Sequence, residues 1–187
     1  MTNSTKSSLT YRNVSSKPLL GDTEQLRAFL TGAIKEMYWG EKHLAMTLPK
    51  MYSAATTAEL QDIISDHLAL TQIHITRLEE ILHLLETAPG GKRSEAMAGI
   101  INECEAMILE TAEGTFIRDA GIILVTQKAV HYQFASYGGL AQLADALSLN
   151  SIVALLHQSL TEITATDEGL SLVAADHIHA DLSTEIS

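Results

Sequence analysis

Apolar residues recur with helical spacing along four stretches of this 187-residue chain, and a few acidic and imidazole side chains interrupt them. Those interruptions are where chemistry could reside. Glu41 falls between Met37 and Leu44, where an unpaired carboxylate would face the interior and lose several kcal/mol of hydration. It needs a partner: a buried histidine or tyrosine, or a metal ion held by carboxylates and imidazoles from facing helices. His67 and His74 share one stripe, seven residues apart. That is about 10 Å along a helix axis, too far for one metal ion to bridge directly. A lone histidine on an apolar face is more often a hydrogen-bonded core residue than a ligand. Asp167 replaces an apolar residue on the last stripe, and Glu162 lies just off its seam. Both have a plain reading as surface or capping carboxylates. Cys104 has no second thiol with which to form a disulfide or a Cys-rich zinc site, and it reads as a small buried hydrophobe.

Helices must position these residues. Asp22 or Thr23 can cap a first helix carried by Leu26, Leu30, Ile34, Met37, Leu44 and Leu48. Pro49 should end or kink it, with a boundary by Ala55. Thr56 and Glu59 form a T-x-x-E capping box before a second helix bearing Leu60, Ile64, His67, Thr71, His74, Leu78 and Ile81. The glycines of Pro89-Gly90-Gly91 are expected to close it. Ser94 caps a shorter segment with Met97, Ile101, Cys104 and Ile108 on one side, ending near Gly114. Asp119 is the expected start of a third long helix through Ile122, Val125, Ala129, Val130, Gln133 and Tyr137, which Gly138-Gly139 should weaken locally. Asn150 can cap a fourth, with its stripe running from Ile152 to Ala174.

Strand-like alternation and the glycine patterns of nucleotide-binding loops are both missing from the sequence. The spacing therefore predicts an all-α fold, a four-helix bundle. The connection 88–118 is long enough to cross the bundle's length and carries a short extra helix. Residues 1–21, rich in Ser, Thr, Asn and Lys, read as a flexible arm, residues 22–175 as the bundle, and residues 176–187 as a polar C-terminal tail.

Lys6, Arg12 and Lys17 give the arm its only charges, and removing them from a formal net charge of −11 leaves −14 on residues 22–187. An acidic body repels phosphate backbones, so no nucleic-acid partner is expected. The N-terminus lacks the apolar core of a secretory signal, and no stretch approaches a membrane span, so a cytoplasmic location and no membrane partner are expected. Nothing in the sequence identifies a small-molecule substrate.

Ala33-Ile34-Lys35-Glu36-Met37-Tyr38-Trp39-Gly40-Glu41-Lys42-His43-Leu44, followed by Leu48-Pro49-Lys50-Met51, resembles the opening helix of the YciE/YciF family of ferritin-like stress proteins. Further matches are Asp66-His67-Leu68 leading to His74 and Arg77-Leu78-Glu79, then Glu95 to Gly99, and His131-Tyr132 with Tyr137-Gly138; the resemblance covers about residues 24–175. It implies a homodimeric ferritin-like bundle, associated with stress, whose members place Glu and His residues around a di-iron or di-manganese centre. Position by position, Glu41 and His74 match ligands. The glutamate expected four residues before His74 corresponds to Leu70, those expected on the third long helix to Val130 and Gln133, and one on the fourth to Ile163, while Glu162 and Asp167 retain acids.

A dinuclear centre commonly takes about six protein ligands. Glu41, His74, Glu162 and Asp167 could hold one ion at best, and an uncompensated cluster of buried acids would be costly once the metal was gone. The expectation is a non-catalytic, homodimeric, stress-associated ferritin-like bundle with a degenerate metal site and no cofactor. The alternatives are a weak iron- or manganese-binding redox protein using those four residues, and an interaction module docking through its basic arm or acidic surface.

Overall fold

The computed structural model describes residues 20–185, with side chains from 21 to 175, so most of the expected arm, 1–19, lies outside the described residues. Five helices follow one another: α1 Leu20–Ala54, α2 Ala58–Leu84, α3 Glu95–Glu110, α4 Phe116–Ala146 and α5 Asn150–Glu185. The backbone of α5 continues as helix beyond Ala175 into the polar C-terminal segment. Among the described residues no helix is long and apolar enough to cross a membrane.

Each long helix packs on two others: α1 on α2 and α4, and α5 on α2 and α4. Asp119, in the first turn of α4, reaches the start of α2, and His67 on α2 meets Gln133 on α4. These two helices therefore begin at the same end and run parallel. The segment between them must return along the length of α2, whose 27 residues span about 40 Å. This crossover, with α3 lying on α1 and α4, makes the bundle ferritin-like.

Local chemistry explains where the boundaries differ from expectation. Pro49 does not end α1, because Leu48 and Met51 are both completely buried in the core and hold the chain on its helical path. The Thr56–Glu59 capping box does not form. Thr57 occupies the N-cap position without a side-chain cap, and Asp119 serves instead, its Oδ1 accepting from the Thr56 N–H at 2.8 Å and its Oδ2 from the Thr57 N–H at 3.1 Å. A carboxylate accepting two amides at a helix N-terminus is a stronger cap than a hydroxyl. Asp119 is free to do this because α4 starts earlier than expected, at Phe116, capped by Thr115. Gly138 and Gly139 leave α4 unbroken, since Tyr137, Leu140, Ala141 and Ala144 are buried on either side of them. Ser94 caps α3 as expected, its Oγ accepting from the Met97 N–H.

Glu86, at φ 55°, takes the left-handed position that closes α2, ahead of the glycines expected there. The Glu86 N–H bonds the His83 carbonyl and the Thr87 N–H the Leu82 carbonyl, a Schellman closure. Ser148, at φ 57°, closes α4 in the same way. A non-glycine residue in this conformation costs roughly 1 kcal/mol. Replacing Glu86 or Ser148 with Gly is therefore expected to raise the melting temperature by about 2–4 °C each, measured by calorimetry.

A buried polar layer at the centre of the bundle

Two apolar clusters fill the bundle. One contains Leu30, Ile34, Leu78, Ile81, Leu140 and Leu156, and the other Leu44, Leu48, Leu60, Ile64, Met97 and Ile122. Between them lies a layer in which Glu41, His67, Thr71, His74 and Gln133 are all 0% exposed. Their positions follow from helical spacing: 67, 71 and 74 stack on the inner face of α2, and 133 and 137 on that of α4.

The Glu41 carboxylate is the centre of the layer. Gln133 Nε2 donates to its Oε1 at 3.0 Å and its Oε2 at 2.8 Å, and the Tyr137 hydroxyl donates to Oε1 at 2.8 Å. Burial, then the Glu41 charge and this hydrogen bond, push the Tyr137 phenol well above its ordinary range. Because a carboxylate only accepts, the amide of Gln133 must face it, and the Gln133 carbonyl is left to accept from His67 Nε2 at 2.9 Å. His67 therefore carries its proton on Nε2. Burial lowers its proton affinity, so the ring stays neutral.

His74 joins this half of the layer to a second. Its Nε2 donates to Glu162 Oε2 at 2.8 Å, while its Nδ1 stands 3.7 Å from Glu41 Oε1. Arg77, one turn along α2, grips Glu162 through both terminal nitrogens, at 2.8 and 3.0 Å, and also donates to Ser159 Oγ at 2.6 Å. That grip, with the His74 bond, holds the Glu162 carboxyl below its usual range against the opposing effect of burial. The result is a chain of contacts drawn from α1, α2, α4 and α5.

Of the four residues singled out as ligands, the structure brings together Glu41, His74 and Glu162. Asp167, five positions past Glu162, pairs instead with the exposed His131 on α4 at 3.0 Å. Leu70 is only partly buried, whereas Thr71, three residues before His74, is fully buried on its face, matching the i, i+3 spacing of ligand pairs in di-metal bundles. Val130 and Ile163 are both 0% exposed and belong to the apolar core. Arg77 and Ser159 had no assigned role in the sequence reading. The signal was their spacing, three residues from His74 and from Glu162, respectively.

This donor set does not fit a dinuclear metal centre. Protein donors occupy both oxygens of Glu41, and Glu162 faces Arg77 and the far side of the His74 ring. Among the described residues no group of three or more His, Cys, Asp or Glu side chains is placed to hold a metal ion.

Comparison with known proteins supplies the context. Residues 25–183 match the family model described as a domain of unknown function, DUF892. Protein YciF of Escherichia coli (strain K12) is 34% identical over 148 residues, covering 78% of this chain and 88% of that protein. The crystal structure of the E. coli stress protein YciF aligns with a TM-score of 0.78 at 30% identity, covering 83% of this chain and 98% of that one. YcfI of Rhodopseudomonas palustris, for which a structural role has been suggested, aligns with a TM-score of 0.76 at 30% identity, covering 82% and 98%. A protein from Xanthomonas campestris pv. campestris shares the fold at 20% identity, with a TM-score of 0.66 over 87% of this chain and all of that one.

Gln133→Glu tests the polar layer. It replaces the amide donor by a second buried carboxylate, and a loss of about 3–5 kcal/mol at neutral pH is expected. Two adjacent carboxylates share a proton and take it up at raised pH, so the native variant binds more protons than its unfolded chain and regains stability as pH falls. In the parent protein, neutral His67 and ionised Glu162 both favour the native state only above their unfolded values, so stability is lost on acidification. Denaturant titrations between about pH 8 and about pH 5 should therefore show the gap between variant and parent narrowing.

Proposed function

The chain belongs to the DUF892 family of YciF-like proteins, and from that premise we propose that it is a stress-associated structural bundle, non-catalytic and homodimeric, whose ancestral dinuclear metal site has degenerated into a hydrogen-bonded layer. The observation that supports this reading is the Gln133 amide on both oxygens of Glu41. An amide nitrogen that donates to a carboxylate takes the place of the cation the carboxylate would otherwise require, and it cannot itself ligate one. The relatives' names speak of stress and of structure, and neither names a reaction. Exposed Phe29, Leu124 and Leu172 offer apolar surface for a second copy of the chain. A cytoplasmic location, without a nucleic-acid or membrane partner, fits the acidic body.

One observation favours a second reading, a weakly held single iron or manganese ion. His74 Nδ1 faces Glu41 Oε1 across 3.7 Å, and its Nε2 proton is fixed by Glu162, the arrangement by which outer carboxylates orient ligating histidines. Elemental analysis separates the two. Protein made in iron- and manganese-supplemented medium is expected to contain far less than one ion per chain and to melt at the same temperature with and without chelator. One ion per chain, lost on Glu41→Gln, would establish the second reading instead.

A further inference from the structure

Thr71 behaves unlike the other buried or half-buried helical threonines. Thr47, Thr126, Thr164 and Thr166 each donate the hydroxyl to the carbonyl four residues back, the ordinary resting place for a helical threonine. Thr71 Oγ1 makes no such bond and has no protein partner, although the residue is 0% exposed. His67 Nδ1 and His74 Nδ1, one turn away on either side, are likewise buried without a hydrogen-bond partner. Three buried polar atoms without partners on one face of α2 would cost about 1–3 kcal/mol apiece.

We propose that the inner face of α2 holds a short file of ordered water, centred on Thr71 Oγ1 and reaching His67 Nδ1 on one side and His74 Nδ1 on the other. Cβ atoms one helical turn apart are about 5–6 Å from one another, a spacing that one water molecule making two hydrogen bonds can bridge. Water also suits the polarity of each atom. His67 Nδ1 carries a lone pair, because its proton is fixed on Nε2 by Gln133, so it needs a donor. Thr71 both donates and accepts, and His74 Nδ1 can be served by water in either protonation state. An anion is excluded by the neighbouring Glu41 charge, and an enclosed metal ion would need more donors than this row supplies. The inference rests on the reading of the layer as metal-free.

The test uses the full chain with Thr71→Val, which keeps the shape and removes the hydroxyl, and Thr71→Ser, which keeps the hydroxyl. Water-oxygen magnetic relaxation dispersion counts long-lived internal water, before and after EDTA. The parent and Thr71→Ser are expected to retain a dispersion that Thr71→Val loses, and Thr71→Val should melt about 3 °C lower. Equal dispersion in all three chains, or a higher melting temperature for Thr71→Val, would overturn the water file, since removing a partnerless buried hydroxyl stabilises. A stoichiometric iron or manganese ion would overturn the metal-free reading. Failure of the dispersion test in ion-free protein overturns the water file alone.

Discussion

A single carboxylate, Glu41, with no exposed surface at the middle of α1, constrains the rest of the bundle. Burying that charge is unfavourable by several kcal/mol unless donors meet it from nearly every side. No neighbour on α1 supplies them; Gln133 and Tyr137 come from α4, and His74 approaches from α2. The demand then propagates. Gln133, having turned its amide to Glu41, must find a donor for its carbonyl and takes His67. His74, held near Glu41, must satisfy its other nitrogen and takes Glu162 from α5, whose second claim is on Arg77. One charge thus dictates side-chain identities on all four long helices.

The crossover is the topological counterpart of this constraint. With α2 and α4 parallel, residues near the middle of each reach the same height, so His67 can meet Gln133 while Asp119, some four turns earlier on α4, meets Thr56 and Thr57 at the start of α2. An up-and-down bundle with a short second connection would place the start of α4 beside the end of α2, and Asp119 would have no helix N-terminus to cap.

Much of this was legible in the sequence, for identifiable reasons. Stripes such as Leu60, Ile64, His67, Thr71, His74 and Leu78 keep helical period over many turns, so the existence and type of α2 followed from pattern alone. The need of Glu41 for a partner followed from burial, and buried tyrosine was among its expected partners. Boundaries were harder to read. Asp119 lies 63 residues from Thr56, and a cap supplied over such a distance leaves no local signature, so the adjacent T-x-x-E motif misled. Asp167 shows the limit of a stripe: five residues past Glu162 its carboxylate meets His131 of α4, a pairing that helical period alone does not reveal. Positions three and four before a histidine both approach its face, so only packing distinguishes the buried Thr71 from the partly buried Leu70.

The burial of Glu41 at the centre of the bundle has a physical rationale in register. Apolar layers on either side of it are built from Leu, Ile, Val, Met and Ala, and such layers tolerate a one-turn slip of a helix because one aliphatic side chain can replace another at modest cost. The polar layer does not tolerate it. Sliding α4 by one turn would leave Glu41 with only one of Gln133 and Tyr137 and bring Ala129 or Ala141 to the other's place, so a buried charge would lose part of its donor set. Sliding α5 would separate Glu162 from Arg77 and His74. A metal centre fixes helix register through coordination, and this hydrogen-bonded layer can do so through the requirement that one buried charge keep its donors.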